Sequence, residues 1–141
     1  MTWSSATAAT TDPRLLRAFR ATAYGAGAAV ARIGRRCPAL DPVVGRRAGA
    51  FITSWNPWGR RCPVRLNRRA DLALQGWLRA VRCLPGAGQG RGWREEHWFA
   101  VMDLRRAAML GRRFRQAAVV TLRRGQPARL LLLRDRSSTP G

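Results

Sequence analysis

A chain of 141 residues, 46% apolar and 24% charged, is long enough to bury one core without disulfides or metal, and its apolar content excludes wholesale disorder. Its charge is lopsided: 27 basic residues, every one an Arg, face 7 acidic ones, for a net charge of +20. No apolar run approaches the ~20 residues of a membrane span, and the N-terminus lacks the basic and apolar regions of a secretory signal, so neither a membrane segment nor export is expected. A GC-rich genome exchanges Lys for Arg but does not remove Asp and Glu. The sign imbalance therefore has a physical meaning, a long-range field that attracts polyanions, phosphate backbones first.

Residues 1–12 and 134–141 read as flexible tails around a single domain of residues 13–133. Thr11-Asp12-Pro13 is a helix start, with Asp as cap and Pro at the first helical position. Leu15, Leu16, Phe19 and Ala23 share one face of a helix that should end near Tyr24-Gly25. Ala28 to Ile33 is a weak strand candidate, and Asp41-Pro42 can cap one helical turn before Gly45. Ala48 to Trp55 reads as a buried strand rich in β-branched and aromatic residues, stopped by Asn56-Pro57. A basic loop with Arg60, Arg61 and Arg65 follows, and Asn67 then suits the cap of a helix from Arg68 to about Arg82. That helix should bury Ala70, Ala73 or Leu74, Trp77 or Leu78, and Val81.

Cys83-Leu84 can open a short strand, after which Pro85 and alternating Gly86, Gly88, Gly90 and Gly92 predict a mobile loop. The loop is not a phosphate cradle, because both Gly-Lys-Ser/Thr and Gly-x-Gly-x-x-Gly are absent. Trp93 to Met102 alternates as a strand, with Glu95, His97, Phe99 and Val101 on one face and Arg94, Glu96, Trp98, Ala100 and Met102 on the other. Asp103 caps a helix whose buried line is Leu104, Ala107, Ala108, Gly111 and Phe114. Ala117 to Leu122 and Ala128 to Leu133 form a hairpin at Arg124-Gly125-Gln126. The order gives an α+β fold: a mixed β-sheet with helices packed mainly on one face, and a split βαβ-like core with extra strands.

Several local patterns resemble an uncharacterised bacterial family, the domain-of-unknown-function family 3293. Thr53-Ser54-Trp55-Asn56-Pro57 is similar to its Thr-Ala-Trp-Asn-Pro element, with Ser54 in the Ala place. Asn67 resembles the Asn at the start of the next helix, and Glu95-Glu96 after Trp93 its acidic strand start. Phe114-x-Gln116-x-Ala118 resembles its Phe-Gly-Gln-x-Ala segment, with Arg115 where Gly is usual. The likeness runs from about Phe19 to Leu133, and it implies one domain without assigning an activity.

Two candidate sites follow from the residues. The first gathers Thr53, Ser54, Asn56, Asn67, Glu95, Glu96 and Gln116 at one sheet edge, where they could hydrogen-bond a small polar ligand. The competing reading gives Asn56 a turn, Asn67 a helix cap and one glutamate an Arg partner. Glu95 and Glu96 point to opposite faces and do not form a catalytic pair, whereas Glu95 and His97 share a face on which a carboxylate can orient an imidazole. The second site combines Trp58 with Arg60, Arg61, Arg65, Arg68, Arg69, Arg105 and Arg112. Aromatic stacking with Arg on phosphates holds single-stranded nucleic acid in this way, and Trp55 and Trp77 are expected in the core instead.

Cys37, Cys62 and Cys83 are odd in number and lack Cys-x-x-Cys spacing. They read as reduced thiols in a cytoplasmic protein, rather than as a zinc site formed by Cys62, Cys83 and His97. No cofactor motif is found. The leading expectation is non-catalytic binding of a phosphate-bearing partner, RNA or DNA first, or a small phosphate-bearing ligand. The alternatives are a small enzyme or metabolite binder at the Thr53–Asn56 corner, and an assembly protein with an acidic partner.

Overall fold

The computed structural model describes residues 12–133, so both expected tails, Asp12 apart, lie outside the described residues. Asp12 accepts the Arg14 N–H at 2.9 Å, and Pro13 opens helix α1 (Pro13–Ala21). The helix stops before Thr22, so Tyr24 and Gly25 belong to strand β1 (Ala23–Ala26) rather than to a helix end. Gly27, with φ of 56°, turns β1 into β2 (Ala29–Ala31). A 3-10 turn (Pro38–Leu40) runs into the single turn α2 (Asp41–Val44), which Gly45 ends with φ of 57°.

Strand β3 (Ala48–Ile52) is buried along its whole length and ends before Trp55, at a corner that contains a second 3-10 turn (Pro57–Gly59). Helix α3 (Val64–Trp77) starts earlier and stops earlier than the sequence suggests. Pro63 precedes its first residue, so Asn67 lies inside the first turn and is not the cap. At the other end the Leu78 N–H bonds back to both Leu74 and Gln75 at 3.1 Å, which tightens the last turn and closes the helix. Leu74 and Leu78 are buried as expected. Trp77 is 39% exposed, with the Arg113 guanidinium over its ring at 4.6 Å.

The remaining elements are β4 (Cys83–Gly90), β5 (Trp93–Val101), α4 (Leu104–Arg113), β6 (Ala118–Arg123) and β7 (Arg129–Leu132). Asp103 caps α4 by accepting the Arg106 N–H at 2.8 Å, and Gly125, φ 71°, turns the last hairpin. The fold is α+β. Its seven strands form one sheet in the order β2-β1-β4-β5-β3-β6-β7.

The expected split βαβ core is present twice over. Strands β3 and β4, joined by α3, run parallel but are separated by the antiparallel β5; β5 and β6, joined by α4, are separated by β3. Each neighbouring pair of named strands is therefore antiparallel, which corrects the mixed ladder expected from the sequence. The hairpins β1–β2 and β6–β7 are the extra strands. Bridges from Ile33 to Ala128 and from Arg36 to Pro127 tie the two sheet edges together, so the sheet curls toward closure.

The curl creates an inner and an outer face. On the outer face, Leu74 and Leu78 of the α3 end and Ala107, Ala108 and Leu110 of α4 pack on Ala50, Ile52, Ala100 and Val119. Inside, Tyr24, Phe51, Phe99, Val120 and Leu122 form a second core, closed by Phe19 of α1 and by Leu40 and Val44 around α2. Alternation decides the assignment: Phe51 points in, while Ala50 and Ile52 point out. Gly49 is needed beneath Phe99, whose ring occupies the place of its missing Cβ.

The mobile loop expected over the glycines is instead strand β4. Gly86, Gly88 and Gly90 lie directly opposite His97, Glu95 and Trp93 of β5, so the inner face of β4 carries no side chain just where that of β5 carries three. A Cβ on Gly86 would overlap the Gly25 carbonyl, and one on Gly90 would overlap the Trp93 indole. Close backbone approach explains these glycines better than flexibility does.

A candidate ligand pocket on the inner face

The space left by the β4 glycines opens into a cavity of about 430 Å³. Its walls come from α1, the corner between β3 and α3, the start of β5, and the chain from Gln116 into β6. Glu95 and His97 project into it from β5, beside Tyr24, Phe51 and Trp93. Tyr24, Phe51 and His97 form one aromatic cluster, with centroid separations of 5.0 to 6.1 Å.

The corner is held by a clasp of two asparagines. Asn56 adopts a left-handed conformation, φ 48°, which Asn tolerates better than most residues. Its Oδ1 accepts the Cys62 N–H at 2.8 Å and the Asn67 side-chain amide at 3.1 Å. Asn67, 2% exposed, returns the contact by accepting the Asn56 N–H at 3.0 Å and donates to the Cys62 carbonyl at 3.1 Å. The Asn56 Nδ2 donates to Glu95 Oε1 at 2.7 Å, so the clasp also fixes the carboxylate. Asn67 is thus neither helix cap nor exposed ligand donor. It positions Asn56, which positions Glu95.

The other corner residues are bound in similar ways. Thr53 Oγ1 donates to the Glu96 carbonyl at 2.7 Å and accepts the Trp55 N–H at 3.0 Å. Gln116 Nε2 donates to the carbonyls of Trp55 and Phe114 at 3.2 and 3.1 Å, pinning the corner to the end of α4. Ser54 is 1% exposed, and its hydroxyl, like the Trp55 indole N–H, has no hydrogen-bond partner among the described residues. Of the first candidate set, Thr53, Asn56, Asn67, Glu95 and Gln116 line the cavity, whereas Ser54 and Glu96 do not. Glu96 points away and pairs with Arg68 at 3.6 Å and Arg94 at 3.5 Å.

Glu95 and His97 share the inner face as alternation predicts, but they do not form a carboxylate–imidazole couple. His97 Nε2 is 2.6 Å from the Gly25 carbonyl, which only accepts, so the neutral ring is protonated at Nε2 and keeps a lone pair at Nδ1. Burial lowers the His97 pKa to about 4 against the effect of that carbonyl, and the Arg94 charge lowers it further. Burial raises the Glu95 carboxyl above its ordinary value, and the Asn56 hydrogen bond draws it partly back. Cys62 lines the cavity, while Cys83 packs against the outer core, where burial raises its thiol pKa. Among the described residues no His, Cys, Asp or Glu cluster could hold a metal.

Of the proposed polyanion set, Arg60, Arg61, Arg65, Arg68, Arg69, Arg105 and Arg112 are exposed. Trp58 is half-buried, its backbone N–H bonded to the Arg115 carbonyl at 2.8 Å, so it is less open than its corner position implies. Arg61 lines the cavity and is exposed, which puts one cationic side chain at the rim; Arg94 also borders the cavity, but its guanidinium pairs with the outward-facing Glu96. Sequence reasoning missed Trp93, 40% exposed on the cavity wall, and Tyr24. The available signal was the period-two spacing of Gly86, Gly88 and Gly90, which marks a strand with one bare face.

No helix among the described residues is long and apolar enough to cross a membrane. Residues 52–119 match the model of a family described as Protein of unknown function (DUF3293). The resemblance read from the Trp55-Asn56-Pro57 element therefore holds over a stretch from the end of β3 into β6. No curated protein and no solved structure matches the chain.

Proposed function

We propose that the protein is a non-catalytic binding protein whose inner-face cavity takes a small, planar, phosphate-bearing ligand. One observation carries this reading: a cavity of about 430 Å³ combines aromatic walls with a half-buried carboxylate and the exposed Arg61 at its rim. The volume lies in the range of small-molecule sites. Trp93 and Tyr24 offer ring surface to a planar body, while Arg61 can fork onto phosphate oxygens. Catalysis finds less support, since Glu95 is held by an amide and His97 by a backbone carbonyl, with no nucleophile hydrogen-bonded to either among the described residues. Three free thiols suit a reducing, cytoplasmic setting.

The test is titration of the full chain with nucleoside monophosphates, followed by tryptophan fluorescence. Saturable quenching is expected. Trp93→Ala should weaken it at least about tenfold, and Arg61→Ala should flatten its salt dependence. Absence of saturable binding by every nucleoside monophosphate tried refutes the reading. A second reading, RNA or DNA held through phosphates, is favoured by exposed Arg60, Arg65, Arg69, Arg105 and Arg112, none ion-paired among the described residues. It requires oligonucleotide affinity that falls steeply with salt and drops in an Arg105→Ala/Arg112→Ala variant.

A further inference from the structure

Resting on the cavity reading, the inference concerns which planar group the pocket selects. Four of its side-chain donors are already engaged by the protein: Tyr24 Oη with the Phe19 carbonyl at 3.1 Å, Thr53 Oγ1 with Glu96, Gln116 Nε2 with Trp55 and Phe114, and Asn56 Nδ2 with Glu95, while the Trp55 indole N–H, without a partner among the described residues, is buried. Acceptors on the wall of β5 keep free lone pairs. Glu95 Oε2 has no protein partner among the described residues, and His97 Nδ1 is the unprotonated ring nitrogen. The free carboxylate oxygen of Glu95 is best met by a ligand that brings N–H donors, preferably two side by side.

A cationic amine would meet that demand, but the field of the chain opposes it. The net charge is +20, and Arg61 stands at the rim, so free cations are repelled and anions drawn in. The donors must arrive on a neutral ring carried by an anion. Among the nucleobases, guanine alone presents adjacent N1–H and N2–H donors. Adenine and cytosine place an acceptor beside their amino group, and uracil flanks one N–H with two carbonyls.

We infer that the cavity is a guanine site, with the Glu95 carboxylate accepting from the N1–H and N2–H edge and Arg61 at the rim meeting the attached phosphate. Burial strengthens such charge-assisted bonds and makes an unmatched base costly. His97 Nδ1, facing Gly88 across the β4–β5 ladder, is a further acceptor within the same wall. The bare strand is what leaves these acceptors open, because a side chain at Gly88 would stand beside Glu95 and against His97.

The guanosine phosphate can come free or within a single strand, and one experiment separates these sources from each other and from failure. Isothermal titration of the full chain with GMP, IMP and AMP should rank them in that order, GMP at least about 100-fold tighter than AMP. Glu95→Gln keeps an acceptor for Asn56 and should bring GMP to within about threefold of AMP. A tetranucleotide with one guanine binding at least tenfold tighter than GMP identifies the strand as source, and equal affinities identify the free nucleotide. Equal binding of GMP and AMP to the unmodified chain overturns the guanine assignment and leaves the cavity reading standing. Failure of all three nucleotides to bind overturns both.

Discussion

The end of α4 gives the sharpest test of how the corner is built. The Arg115 N–H donates to the Arg112 carbonyl at 3.0 Å and the Gln116 N–H to the Gly111 carbonyl at 2.9 Å. That pair of bonds is a Schellman cap, and Arg115 occupies its left-handed position with φ of 56°. The resembling family usually carries Gly here, and the reason is conformational: no Cβ strain at positive φ. Left-handed backbone costs a non-Gly residue roughly 1–2 kcal/mol, and the extra unfolded-state freedom of Gly returns part of that, so Arg115→Gly should stabilise by about 1 kcal/mol. For a domain of this size the melting temperature should rise by about 4 °C. The carbonyl that receives the Trp58 N–H is retained, so the corner should not move. Thermal unfolding of the unmodified chain, Arg115→Gly and Arg115→Ala separates backbone from charge, because both variants remove one cation and only one relieves the φ. Equal gains from Ala and Gly would refute the backbone argument, as would any loss from Gly.

The orphaned Ser54 hydroxyl, 1% exposed, gives a second prediction: Ser54→Ala removes an unsatisfied polar group and should gain about 1 kcal/mol in denaturant melts, a loss of similar size counting against it. His97 gives a third. With a folded pKa near 4 against about 6.5 unfolded, the unfolded chain binds the extra proton between those values, so this contribution is intact above pH 6.5 and declines by about 3 kcal/mol toward pH 4. Glu95, whose pKa is raised by burial, acts with the opposite sign, gaining stability as pH falls through its folded value. Urea unfolding from pH 7 to pH 4 should therefore lose part of its slope in His97→Gln, and an unchanged slope would show that His97 is not the group responsible.

The sequence spoke most clearly where one local rule acted alone. Asp12-Pro13 and Asp103 announced their helices through capping chemistry that needs no tertiary partner, and the alternation from Trp93 put Glu95 and His97 on one face and Glu96 on the other. It failed where a tertiary contact reversed a local preference. Asn67 has a cap's side chain, yet Pro63 starts α3 earlier and turns that side chain toward Asn56. Trp77 was expected inside and instead meets Arg113 at the surface, because the helix ends at that residue and Leu78 takes the buried place. The glycines read as a loop because backbone freedom is their strongest single-residue property. Only the register with β5 reveals that their spacing leaves a face empty.

That empty face links fold and site through a single cause. The backbone of β1 crosses β4 where Gly86 has no Cβ, the Gly25 carbonyl filling that place and receiving the His97 ring. The crossing brings α1 and Tyr24 over the inner face, where they become the wall opposite Asn56 and Gln116. Two residues along, the same bareness at Gly88 leaves the volume into which Glu95 projects. A side chain at Gly86 would displace β1 and dismantle the wall, while one at Gly88 would leave the sheet paired and fill the cavity. The close approach of β1 to β4 and the opening of the pocket are thus encoded at neighbouring inward positions of one strand, with Asn56 holding the carboxylate between them.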